Sequence, residues 1–345
     1  MKALVLSDFG KIKIQDIEEP TASGKLVKIK VIYAGVCGTD IHAVEGGYSR
    51  TKVPVVLGHE ISGIVAEVGV EVSKVRVGDR VTSETTFSSC GECIYCKNNE
   101  LNLCPNRVGI GTNHNGAFEE YMLSHEDRLH IVPENVRLID ASITEPVACG
   151  VHACMETVKG GKGDWVCVFG AGAIGVLLAE VAKSQGASVI LAGLSGDREI
   201  LDQEKAFGID VVIDQESESL ERILNEITGG YGVDYVFECS GAVPALLKSL
   251  EIVKKKGKIV QLGVYPTENV PLPMEVFLQN EIQLIGSRSQ RPSSWPIALE
   301  LISAGKVVPE HVIDKVYPLD DWYDAFYSKH GGKKNIIRCS AENIR

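Results

Sequence analysis

Aromatic residues are scarce in this chain, at 6% of 345 positions. No apolar run approaches the roughly 20 residues that a membrane-crossing helix needs, and the apolar part of the opening "MKALVLSDFG" is far too short for a secretory signal. Positive charge is also in deficit, 35 Lys and Arg against 46 Asp and Glu, a formal −11. These shortages argue against a membrane span and disfavour binding to nucleic acid or an anionic membrane. They predict a cytoplasmic protein whose thiols are reduced. The basic run Lys254, Lys255 and Lys256 is short and reads as a solvated turn before Gly257.

At this length two domains are expected, because one hydrophobic core stops growing earlier. The first 145 or so residues are rich in glycine and β-branched residues, with strand-like runs such as "KIKIQDI", "KLVKIKVIYAG" and "EISGIVAEVG". From about residue 160 the texture changes. Short apolar runs ("DWVCVFG", "SVILAG", "DVVID", "VDYVFECSG") alternate with helical patterns such as "AIGVLLAEVAKSQG". That alternation predicts an α/β fold with a doubly wound parallel sheet. After about residue 286 a helix "WPIALELISAGK" and a strand-like "NIIRC" are read as a return to the first domain.

"WVCVFGAGAIG" sets Gly170, Gly172 and Gly175 in G-x-G-x-x-G spacing between an apolar strand and a helix. The first glycine permits the turn, the second lets backbone approach a pyrophosphate, and the third lets helix and strand pack closely. A plain strand-to-helix turn is the bland reading, and the flanking pattern favours dinucleotide binding. An NAD site would place a carboxylate at the end of the second strand, where this chain has Gly193. Ser195 and Arg198 follow, a pair suited to a 2′-phosphate, so the lean is to NADP over NAD. Asp197, between them, is the counterweight that would serve a ribose.

Ten cysteines are many for such a chain. Cys90, Cys93, Cys96 and Cys104 form C-x2-C-x2-C-x7-C, which can close a tetrahedral zinc shell with no open position. A disulfide pair, an iron–sulfur cluster and a redox C-x2-C remain as alternatives, each less favoured. A closed shell binds no substrate, so metal chemistry must be sought among Cys37, Thr39, Asp40, His42, His59, Glu60, Glu145, Cys149, His152 and Cys154.

With those residues the chain resembles the zinc-dependent medium-chain dehydrogenases. Gly58, His59, Glu60, Gly63, Gly69 and Val72 match that family's G-H-E-x2-G-x5-G-x2-V signature, and "VGDRV" at 77–81, the four-cysteine lobe and "GAGAIG" follow in the family's order. The resemblance implies a Rossmann-type doubly wound sheet plus a β-rich GroES-like catalytic domain. The catalytic domain would span 1–148 with the zinc lobe at 90–104, the dinucleotide domain 149–286, and the return segment 287–345. It implies two Zn2+ ions, one structural and one catalytic, and a homo-oligomer, dimer or tetramer. Cys37 and His59 would ligate the catalytic ion. Glu145 is taken as third ligand, Glu60 as exchanging or supporting partner, and Cys149 as the reserve. Asp40 would fix the His59 tautomer, Thr39 would take the substrate hydroxyl proton, and His42 would pass it to solvent.

Glu145 in "EP" context and the tail "GSRSQRPSSWP" resemble the polyol dehydrogenase branch, with Arg288 and Arg291 near a substrate arginine's place. The expected function is hydride transfer between NAD(P) and a secondary alcohol of a polyol or polyol phosphate. An L-threonine 3-dehydrogenase is the near rival. A zinc-free quinone or enone reductase would be expected to lack the cysteine lobe and the metal ligands, and a non-catalytic nucleotide-binding protein to lack Cys37, His59 or Thr39.

Overall fold

In the strand Leu26–Gly35, Val27, Ile29 and Val31 are buried and alternate with half-exposed neighbours, the period-two pattern of a strand with one covered face. A computed structural model describes residues 1–47, 50–267, 269–328 and 331–342. In it this strand is the hub of a seven-stranded sheet. It pairs antiparallel with Glu60–Val68, with Tyr121–His125 and, far along the chain, with Lys334–Arg338. Phe118, Phe326, Leu4, Leu6, Leu57 and Met122 fill the core beside it.

The second sheet is wholly parallel and has near-continuous buried runs, as a sheet covered on both faces requires. Its spatial order is Val211–Asp214, Ser188–Gly193, Trp165–Phe169, Val233–Glu238, Val253–Gln261, Gln283–Gly286. This is the doubly wound arrangement, and the strand order reverses between Trp165–Phe169 and Val233–Glu238, where ligands of such sheets sit. Among the described residues no helix is long and apolar enough to cross a membrane.

One local expectation is corrected here. Lys254, Lys255 and Lys256 lie within the strand Val253–Gln261 and not in a turn, although Lys255 and Lys256 are solvated as expected. Lys254 pairs with Asp234 on the adjacent strand, and Lys256 reaches Glu281 at 3.3 Å. Lys256 takes φ +64°, and the ladder slips between Val233 and Tyr235. The charges therefore tolerate a strand because acidic neighbours and a local bulge accommodate them.

The helix Thr144–Val151 continues as a π-helix through His152–Val158 and joins the two halves of the site. Its first turn carries Glu145, and further along Gly150 presses against Leu178 of the helix Ala173–Ser184, where an added Cβ would lie 3.3 Å from the Leu178 Cα. The helix that starts at the glycine turn is thus packed against the one that carries a buried carboxylate.

Candidate active site

Cys37 follows the hub strand and caps the short helix Gly38–Val44. Its N–H donates to Asp40 Oδ2 at 3.0 Å, while Asp40 Oδ1 accepts the Gly58 N–H at 3.1 Å and lies 3.5 Å from His59 Nδ1. Asp40, almost fully buried, therefore fixes the loop of Cys37 against the loop of His59. Gly58 makes that approach possible: its φ is +92° and a Cβ would stand 3.0 Å from the Phe118 ring.

The donor atoms of Cys37, His59 and Glu60 all lie within 4.8 Å of one another. Glu60 fits only because Gly35 has no side chain, since a Cβ there would meet Glu60 Oε2 at 2.2 Å. Glu60 Oε1 accepts from the buried Lys334 Nζ at 2.5 Å, and Oε2 is buried with no partner. Burial alone would lower the His59 pKa, but the charge and hydrogen bond of Asp40, with Cys37, outweigh it and hold the imidazole well above its ordinary value.

Glu145 stands beside this group, outside its tight cluster. Its Oε1 accepts from the Gln290 amide at 3.1 Å and from the Cys149 thiol at 3.6 Å, both neutral partners. Burial pushes Glu145 above the ordinary carboxylate value, with Glu60 adding to the effect and His59 and Lys334 opposing it. Cys149 is pushed well up by burial and by the Glu145 charge, so it stays a thiol. A cysteine sulfur, an imidazole and buried carboxyl groups, one with an orphaned oxygen, are a donor set suited to zinc. Thr39 Oγ1 lies 3.6 Å from Cys37 Sγ, and His42 is 60% exposed with Glu45 at 3.7 Å.

The four lobe cysteines also converge. Cys90 Sγ lies 3.6 Å from Cys104 Sγ and 3.9 Å from Cys96 Sγ, close to the roughly 3.8 Å expected between sulfurs about 2.3 Å from one zinc ion. Backbone N–H groups of Glu92 and Cys93 pull Cys90 down to about 6, favouring the thiolate. The arginines expected near substrate are turned to this lobe instead. Arg291 pairs with Glu100, and Arg288 donates to the Asn102 carbonyl at 2.7 Å while its own carbonyl accepts from the Asn102 amide at 2.8 Å. The lobe offers both arginines partners, and it is Gln290, between them in the chain, that reaches Glu145.

At the other side of the cleft Gly170 turns the chain with φ +99°, and Gly175 packs so closely that a Cβ would meet the Gly170 carbonyl at 1.9 Å. Beside Gly172 an added Cβ would meet, among the described residues, only the Gly332 carbonyl, at 3.5 Å. The same Gly332 carbonyl accepts the Ala173 N–H at 3.0 Å, so the segment leading into Lys334–Arg338 meets the N-terminus of the helix Ala173–Ser184. Beyond Gly193, Ser195 Oγ donates to Asp214 at 2.8 Å, and Arg198 pairs with Asp202 at 3.2 Å on the helix surface. The Asp197 carboxylate folds under Gly193 and accepts the Leu194 N–H at 2.9 Å.

Three residues were not foreseen. Lys334 neutralises Glu60 from a distant strand, and Gln290 joins Glu145 to Thr85 at 3.2 Å. Glu238, at the point where the strand order reverses, accepts from Ser240 N and Tyr265 OH at 2.8 and 3.0 Å. Lys334 stands just before "NIIRC" as the second of two adjacent lysines, Lys333 and Lys334, and nothing in that pair marks it as a buried partner.

Family models described as alcohol dehydrogenase GroES-like domain and zinc-binding dehydrogenase match residues 23–134 and 173–304. The chain is 47% identical to a D-arabitol-phosphate dehydrogenase of Enterococcus avium, over 90% of this chain and 88% of that one. It is 43% identical to a sorbitol dehydrogenase of Halalkalibacterium halodurans, over 96% and 97%. Among solved structures it is similar to a zinc-binding dehydrogenase of Sinorhizobium meliloti bound to NADP, with TM-score 0.89 and 28% identity over 98% of both chains.

Proposed function

The chain belongs to the zinc-containing alcohol dehydrogenases, in their polyol dehydrogenase branch, and from that premise we propose that it transfers hydride between NAD(P) and a secondary hydroxyl of a polyol or polyol phosphate. The reverse direction is ketose reduction. The observation that carries this reading is Glu145, a buried carboxylate whose hydrogen-bond partners among the described residues, Gln290 and Cys149, are neutral, beside Cys37, His59 and Glu60. A buried carboxylate in that state calls for a cation.

When bound, zinc supplies a positive charge that eases ionisation of the substrate hydroxyl, and the nicotinamide takes the hydride. Cys37, His59 and Glu145 would hold the ion. Glu60, already paired with Lys334, keeps one free oxygen beside them. Asp40 orients His59. Thr39, next to Cys37, accepts the hydroxyl proton and passes it toward the exposed His42 and solvent. The glycine turn seats the pyrophosphate. Cys90, Cys93, Cys96 and Cys104 would hold a structural zinc, and Arg288 and Arg291 act on substrate only through the loop that they fix.

For the cofactor the proposal is NADP, because Gly193 replaces the carboxylate that would repel a 2′-phosphate, with Arg198 nearby. Asp197 beneath Gly193 favours the second reading, NAD. We also propose a cytoplasmic homo-oligomer, dimer or tetramer, with a catalytic part at 1–148 and 287–345 and a dinucleotide part at 149–286. Light scattering on the purified protein reads the subunit number. One activity panel tests the rest: polyols, polyol phosphates and threonine, each with both cofactors. Highest kcat/KM on threonine overturns the polyol reading. A tenfold preference for NAD, about 1.4 kcal/mol, overturns the NADP reading.

A further inference from the structure

Away from both cysteine sites, two buried carboxyl groups and a partly exposed histidine meet at one point. Glu180 comes from the helix Ala173–Ser184, Glu204 from the helix Arg198–Phe207, and His311 from the 3-10 turn Pro309–Val312. Both glutamates are fully buried, and the histidine side chain is 20% exposed. His311 Nδ1 lies 2.8 Å from Glu180 Oε1 and 2.9 Å from Glu204 Oε1.

The hydrogen bonds here do not add up. A single Nδ1–H faces two carboxylates and can satisfy only one of them well. Glu180 has a second partner, the Val308 N–H at 2.7 Å on Oε2. Glu204 Oε1 has the Gln203 amide at 3.2 Å, but Glu204 Oε2 is buried with no partner at all. Among the described residues His311 is the one basic side chain within ion-pair distance of either glutamate. With both carboxyls ionised, even a protonated imidazole leaves one negative charge uncompensated, which is costly in a low-dielectric interior, and burial accordingly pushes Glu180 up to about 7.

We propose that Glu180, Glu204 and His311 form a further divalent-metal site, for zinc or a cation of the same borderline class, that fastens Pro309–Val312 to the two helices. The three donor atoms lie within 4.8 Å of one another. The two nitrogen-to-oxygen separations are near the roughly 3 to 3.5 Å expected between ligands about 2.1 Å from one ion. One imidazole and two carboxylates are borderline donors, and the partly exposed face of His311 leaves a route in and a position for water. Binding displaces the Nδ1 proton and sets a cation's charge beside both buried carboxylates. The Val308 N–H on Glu180 and the Gln203 amide on Glu204 hold the ligands from behind.

The test uses the intact enzyme. Crystals of the wild type soaked in zinc sulfate are measured on both sides of the zinc absorption edge. Zinc per chain is counted for wild type, Glu204→Gln and His311→Asn after equilibration with zinc and dialysis. Expected are an anomalous peak between the three side chains and one zinc fewer per chain in each variant, with dehydrogenase activity retained. Peaks at the two cysteine sites and none here overturn the proposal. So does equal zinc in wild type and variants. A Glu204→Gln protein that is more stable yet loses no zinc identifies a buried imidazolium pair, which also overturns it. If a variant fails to fold, the wild-type crystal decides.

Discussion

Lys334 and Glu60 bury opposite charges side by side, and a buried pair is costly to break by removing one member. Burial works against the lysine charge, and Glu60, with Cys37 and Glu145, more than offsets it, holding the ammonium above its ordinary value. Lys334→Met is expected to cost about 3 kcal/mol or more, read as a lowered denaturant midpoint, and adding Glu60→Gln should recover part of the loss. Glu119 gives a pH signature of its own. Burial holds its carboxyl well above the ordinary value of 4.5, and its Oε2 has no partner. The folded state therefore keeps a proton that the unfolded chain releases, so this group's contribution to stability falls as pH rises above about 4.5. Glu119→Gln removes that loss: its Tm relative to wild type should climb between pH 4.5 and 8. A constant difference would show that Glu119 ionises normally.

At the scale of elements, the four-cysteine lobe and the loop before the helix Ser294–Ser303 are tied by Arg291 to Glu100 and by Arg288 to Asn102. The same loop presents Gln290 to Glu145. Cys93→Ser should therefore lose one zinc per chain and lower Tm, with turnover suffering through this loop only afterwards. Gln290→Leu isolates the last link. It removes a hydrogen bond to a buried carboxylate, worth about 1.5–3 kcal/mol if that carboxylate is charged. A fall in kcat/KM of about tenfold or more is expected, with both cysteine-site zinc ions retained by metal analysis. Unchanged kinetics would leave Gln290 a packing residue. Neither this loop nor Lys334 could be read from the sequence as part of a site, since both reach it by tertiary approach across about 145 and about 270 residues. Strands and helices with their own period were legible, as in "WVCVFGAGAIG", because each carries its signal locally. The basic run at Lys254 was misread for the opposite reason: its partner Asp234 is close in space and remote in sequence.

Across the whole molecule, the parallel sheet and the β-rich sheet were legible from alternation and motif order. The partners inside the site were legible only as residue types. Contacts between distant segments also set an order in time. Ile336 pairs with Gly35, so the middle of the first sheet waits for a strand made about 300 residues later. At roughly 5–20 residues per second of synthesis that is on the order of 15–60 s. Through that interval the edge of Leu26–Gly35 that will receive Lys334–Arg338 lies open to other chains, and Glu60 has no lysine to answer its charge. Nascent chains are therefore most exposed to misassociation at this seam, and crowded or rapid expression should penalise the protein there first.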